Sequence, residues 1–152
     1  MTTVVSRWAD GNGYGQQVTE RTAPVVLVIG LDPYRVPGPW DPAPVAAAIE
    51  ESVKRFAESG IDARNCLIGL DGSDDVEAVV ASALRERAWE CVLIGGGIRK
   101  SEEQLELFEQ VVNLVRLNAP DAAIAFNRDL TDIVDAVARQ LARQSPRDGE
   151  PS

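Results

Sequence analysis

The feature that most constrains this chain is the run Pro24-Val25-Val26-Leu27-Val28-Ile29-Gly30. Apolar, mostly β-branched residues follow one another without alternation, opened by a proline and closed by a glycine. A strand that is apolar on both faces must be covered on both faces, as at the centre of a parallel sheet clothed by helices. Parallel neighbours need crossover connections of about a dozen residues or more, usually helical. The rest of the chain should therefore supply strand–helix units.

It supplies four. After the first strand comes a long loop, Leu31 to Trp40, with Pro33, Pro37 and Pro39. Asp41 then serves as N-cap and Pro42 as first helical residue. Val45, Ala48, Ile49, Ser52, Val53, Phe56 and Ala57 recur at helical spacing as the buried face, and Gly60 ends the helix. The second unit has a strand over 65–69 and a helix from about Asp74 to Arg87, capped by Ser73 or Asp74. The third has a strand over 90–94, the triplet Gly95-Gly96-Gly97, and a helix capped by Ser101 with Gln104 three residues on. The fourth has a strand over 122–126, the loop Asn127-Arg128, and a helix capped by Asp129.

Four successive units with right-handed crossovers predict a three-layer α/β/α sandwich around a short parallel sheet. The order 2-1-3-4 is the economical one, with two helices on each face and a fifth edge strand available from Val4-Val5. This layout resembles the flavodoxin-like and Rossmann-like architectures, a likeness that carries no function by itself. The domain spans 24–143. Residues 1–23, polar and glycine-bearing, are expected to form a flexible leader, and 144–152 a disordered tail.

Composition removes several functions. With 24 acidic and 15 basic residues the net charge is −9, and the chain lacks the basic footprint of a duplex nucleic-acid binder. It has no histidine, hence neither the usual general base near neutrality nor the commonest zinc ligand. Cys66 and Cys91 lie inside apolar runs and read as small buried hydrophobes. No segment has the length of a membrane span and residues 1–20 lack a signal-peptide core. The expected location is cytoplasmic.

Candidate chemistry gathers at the carboxyl ends of the strands. Gly95, Gly96 and Gly97, with Arg99, Lys100 and Ser101 beside them, can point backbone N–H groups and two cations at a small anion. The spacing matches neither dinucleotide nor P-loop fingerprints. A tight turn without ligand explains the glycines equally well. Arg35 and Arg128 are further anion contacts if the topology gathers them. Asp32 and Asp71 follow two similar strand ends, Val28-Ile29-Gly30-Leu31-Asp32 and Leu67-Ile68-Gly69-Leu70-Asp71. Across adjacent strands they would hold Mg²⁺ or divide into acid and base. Ordinary turn and capping duties are the competing explanation. Tyr34 and Trp40 on the proline-rich loop suit either a lid over a small ligand or an arm on a second subunit.

These readings lead to three expectations. The first is a regulatory or non-catalytic module that binds a small anionic ligand at the carboxyl edge. The second is a protein-interaction or structural homodimer without ligand. The third is an aspartate-dependent, Mg²⁺-assisted enzyme acting on a phosphate-bearing substrate. No cofactor can be named. A two-fold homodimer is expected, with Leu107 or Leu114 near its interface and Trp40 beside them.

Overall fold

The computed structural model describes residues 3–4 and 21–144. Thr3–Val4 (β1) and Arg21–Thr22 (β2) pair antiparallel as a separate two-residue ladder, so the Val4 region adds no fifth strand to the main sheet. Most of the expected leader (5–20) and the tail after Gln144 lie outside the described residues.

The main sheet consists of β3 (Val25–Leu31), β4 (Asp62–Ile68), β5 (Cys91–Ile94) and β6 (Ala123–Phe126). All pairings are parallel, in the order β4-β3-β5-β6, which is the expected 2-1-3-4. Among the described residues five α-helices connect or follow the strands: α1 (Ala43–Glu58), α2 (Val76–Arg85), the single turn α3 (Gly96–Arg99), α4 (Leu105–Asn118) and α5 (Ile133–Gln144). The result is a doubly wound α/β sandwich.

Alternate strand residues divide the core in two. Val25, Leu27, Ile29, Val92 and Ile94 pack with α2 and α4, while Val26, Val28, Cys91 and Leu93 face α1 and α5. The central strands are buried on both sides because the direction of winding reverses after β3 and sends helices to both faces. No helix among the described residues is long and apolar enough to cross a membrane.

Several boundaries differ from the sequence pattern for local reasons. β4 begins at Asp62, not Asn65, because it is an edge strand with room for polar side chains; Asp62 pairs there with Arg87 at 3.1 Å and Arg64 at 3.4 Å. Asp75 caps α2, accepting from the Ala78 N–H, while Asp74 is used elsewhere. Asp129 does not start α5: its carboxylate accepts from Thr131, and the helix begins after Asp132, whose carbonyl accepts from Ala136. Asp41 keeps its capping bond, to the Ala43 N–H at 3.0 Å, but α1 opens one residue later than expected.

Two residues of α4 expected near a subunit contact, Leu107 and Leu114, pack on the protein's own core, while Leu117 on the same flank is exposed. Leu114 is 8% exposed, and Leu107 packs on the same cluster. The helix that packs on α4 is α2, and the two share one core cluster. Ala136 of α5 is fully buried.

Candidate functional site

The carboxyl ends of β3 and β5 lie where the winding reverses, the position at which open α/β sheets characteristically bind ligands. A cavity of about 270 Å³ opens there, between α1 and the sheet. Its floor is Val28, Gly30, Leu67 and Leu93, with Asn65 at the edge strand. One wall is the α1 stripe Val45, Ile49, Ser52, Val53 and Phe56. The other is made by Gly95, Gly96, Gly97, Asn127, Leu130 and Ile133, and the β3–α1 loop closes the end with Pro33, Val36 and Trp40.

The cavity exists because α1 stands off the sheet. Of its sixteen residues only Ser52 and Phe56 are buried. Val45, Val53 and Ala57, which helical spacing marks as core, are exposed. Glycine at positions 30 and 95 keeps side chains off the floor. Trp40, 54% exposed, is seated on Gly38, where a Cβ would come within 2.6 Å of the indole. Gly38 also has φ +152°, so only glycine suits that place under the ring.

The expected site residues separate into three groups. Gly95, Gly96 and Gly97 do line the cavity. Close packing accounts for two of them: a Cβ on Gly97 would lie 3.2 Å from Leu31 Cδ1, and one on Gly95 3.4 Å from the Ile29 carbonyl. The Gly95 N–H is already donated to Ile29 O at 2.8 Å, so the triplet seats α3 against β3.

The cations form the second group, and none lines the cavity. Arg99 donates through Nη2 to the Asn127 carbonyl and lies over the Phe126 ring, 5.3 Å from its centroid. Burial pushes its pKa down, and its Nε is buried without an acceptor among the described residues. Lys100 donates to the Arg128 carbonyl, and Ser101 caps the turn before α4 by accepting from Glu103 N–H. Arg35 is held by carboxylates, through Nε to Asp32 and Nη1 to Asp74, each at 2.9 Å. Of the cations expected at this edge, Arg35, Arg99 and Lys100 therefore donate to the protein's own acceptors, while Arg128 is exposed and outside the cavity lining.

The third group is Asp32, Asp71 and Tyr34, which also stand outside the cavity lining. Asp32 accepts from the Tyr34 N–H at 3.0 Å as well as from Arg35. Asp71 accepts from Ser73, whose hydroxyl first and N–H second hold its carboxyl below the usual range. The two similar segments do not face each other in register. They repeat at 39 residues, whereas paired Cα atoms of β3 and β4 differ by 37. What joins the two loops is Arg35, which also reaches Ser73 Oγ and the Leu67 carbonyl. Among the described residues no group of three or more carboxylates or thiols is arranged to hold a metal ion. Tyr34 is exposed. Cys66 and Cys91 are buried, and desolvation pushes both thiols up to about 11.

The cavity thus offers apolar surface with a few polar groups. Ser52 is buried, donates to the Ala48 carbonyl at 3.0 Å and retains acceptor capacity. Asn127 is buried and donates to Asp129 O. Among the described residues Asp41 is the only charged side chain in the lining. Sequence reasoning missed α1 as a cavity wall, because a stripe facing a cavity has the same spacing as one facing a core. No protein-family model matches the chain, and no curated protein is similar to it in sequence.

Proposed function

We propose that this protein is a small-molecule-binding module whose ligand places an apolar body in the cavity between α1 and the sheet. The observation that carries the reading is the position and character of that cavity: it sits at the reversal of winding, and its lining is overwhelmingly apolar. At about 270 Å³ it falls just below the usual range for drug-sized ligands. That size suits a single ring or a short branched chain and is too small for a dinucleotide. A non-catalytic role is supported by the commitments of the polar groups. Ser52 is bonded to its own helix and is not paired with a base, and both buried thiols are far from ionised at neutral pH. The anionic ligand expected from the glycine triplet would find no lysine or arginine among the described residues that line the cavity.

The test uses 3-phenylpropanol, a neutral molecule with one ring and a short tail. Titration followed by amide chemical shifts should perturb Val28, Ile49 and Gly95–Gly97 saturably, with a dissociation constant on the order of 1 mM or tighter. Ile49→Phe, which fills the cavity, should abolish the response while the protein stays folded. A response that is absent, or that survives Ile49→Phe unchanged, removes the reading.

A further inference from the structure

Resting on that binding reading, we propose that the cavity selects a ligand with a cationic end: an apolar body inside, and an ammonium group held at the mouth by Asp41 and Trp40. Among the described residues the lining contains no lysine or arginine, and Asp41 is its one carboxylate. Both Trp40 and Asp41 are exposed, which places them at the open end, whereas Phe56 and Leu93 are buried at the inner end. A ligand that fills the apolar interior therefore presents its solvated terminus to these two side chains.

Their chemistry suits a cation. Asp41 uses Oδ1 to accept the Ala43 N–H at 3.0 Å. A carboxylate has acceptor positions beyond that single bond, and no described cation forms a salt bridge with it. An indole face attracts an ammonium through its quadrupole, and the ring of Trp40 is pinned on Gly38 and so pre-positioned. The cations that would favour a carboxylate ligand are turned away: Arg35 to Asp32 and Asp74, Lys100 to the Arg128 carbonyl. The charge of −9 on the whole chain adds attraction for a cation and repulsion for an anion.

Three probes of matched size decide it: 3-phenylpropylamine, 3-phenylpropanol and 3-phenylpropanoate, which at pH 7 are cationic, neutral and anionic. By calorimetric titration at low salt, the amine should bind about fivefold tighter than the alcohol, the gain of one partly exposed ion pair, and the carboxylate weakest. Asp41→Asn should erase the amine's advantage while leaving the alcohol within about twofold, since asparagine caps a helix as well as aspartate does. Glu109→Gln, on exposed α4 across the sheet, removes the same charge and should leave the preference intact. Binding of the alcohol without preference for the amine overturns this inference and leaves the binding reading standing. So does a preference that survives Asp41→Asn. Failure of all three probes to bind overturns both.

Discussion

The two faces of the sheet are built from the same alternating strand residues, yet they are finished differently. On one face α2 buries Val80, Ala81 and Leu84 within ten residues, and α4 buries Val111, Leu114 and Val115. On the other, α5 seats Ile133, Val134, Ala136 and Val137, but α1 buries only Ser52 and Phe56 in sixteen. The first face is closed because α2 and α4 pack on each other as well as on the strands. The second has a gap under α1, where Val45 and Val53 stay 38% and 41% exposed. Unfilled apolar surface forgoes stability, since each fully buried aliphatic side chain is worth about 1.5–3 kcal/mol. The uncovered surface lies at the place where α/β folds bind ligands, so the proposed binding reading assigns stabilising work to one face and binding work to the other.

The contrast is most easily broken by truncating one side chain on each face. Leu84→Ala should destabilise the protein by about 2–5 kcal/mol, since Leu84 is 1% exposed and its neighbours cannot collapse fully. Ile49→Ala, in a wall that already faces open space, should cost less than about 1 kcal/mol. Urea unfolding of the two variants gives both values. Equal losses would mean that α1 is packed as firmly as α2, and that the gap is no functional feature.

Most of the fold was legible in the sequence because strand identity depends on local pattern. The runs at Val25–Ile29 and Cys91–Ile94 are apolar on both faces and admit few alternatives. The winding order does not follow from the three crossovers by themselves, but the economical choice, 2-1-3-4, is the one found. What the pattern hid depends on distant partners. Asp62 and Arg64 look like loop residues until the edge position of β4 and the approach of Arg87 are known. Arg35 looks like a free cation until the fold delivers Asp74, 39 residues later. Gly95–Gly97 were legible as part of the cavity lining, but a sequence lists cations without showing what they hold, and Arg35, Arg99 and Lys100 beside them already donate to the protein's own acceptors. Ile49 and Val53 were read as core because periodicity reports a face and not what lies opposite.

A second, smaller effect sharpens the comparison through pH. On the closed face the loop before α2 is fastened by Asp74. Its carboxyl is held below the usual range first by the Gly69 N–H and then by Arg35. A carboxyl whose folded pKa is lowered stabilises the fold above its unfolded value, about 3.9. That contribution disappears as pH falls through the folded value. On the open face the corresponding fastening is Arg55 to the Thr131 carbonyl at 3.1 Å, which does not titrate in acid. Asp74→Asn should therefore lower the urea midpoint at pH 7 and flatten its decline between about pH 5 and pH 3. Removing the open-face fastening with Arg55→Gln should leave the acid decline as steep as in the parent. Identical acid profiles for Asp74→Asn and the parent would show that the acid sensitivity lies elsewhere.

The smallest expected effect lies at the seam between the faces, in the glycine triplet. Gly96 and Gly97 are neighbours in α3 and differ in what a methyl group would meet. At Gly96 the nearest atoms are Cε and Cδ of Lys100, at 3.4 and 3.5 Å, the far end of a flexible side chain. Alanine there should be neutral or slightly stabilising, by up to about 0.5 kcal/mol, since it restricts the unfolded chain and favours the helical turn. At Gly97 the methyl group would sit 3.2 Å from Leu31 Cδ1 and 3.5 Å from Cγ, which must yield by a few tenths of an ångström. Leu31 is only half-buried and can yield in part, so Gly97→Ala should cost about 0.5 kcal/mol or a little more after the helix gain is offset. Opposite signs in thermal unfolding would assign the triplet to the seating of α3 on β3. Equal stability for both variants, together with equal loss of 3-phenylpropanol binding, would instead assign the glycines to the ligand. The cavity would then rest on backbone contacts as much as on the open wall of α1.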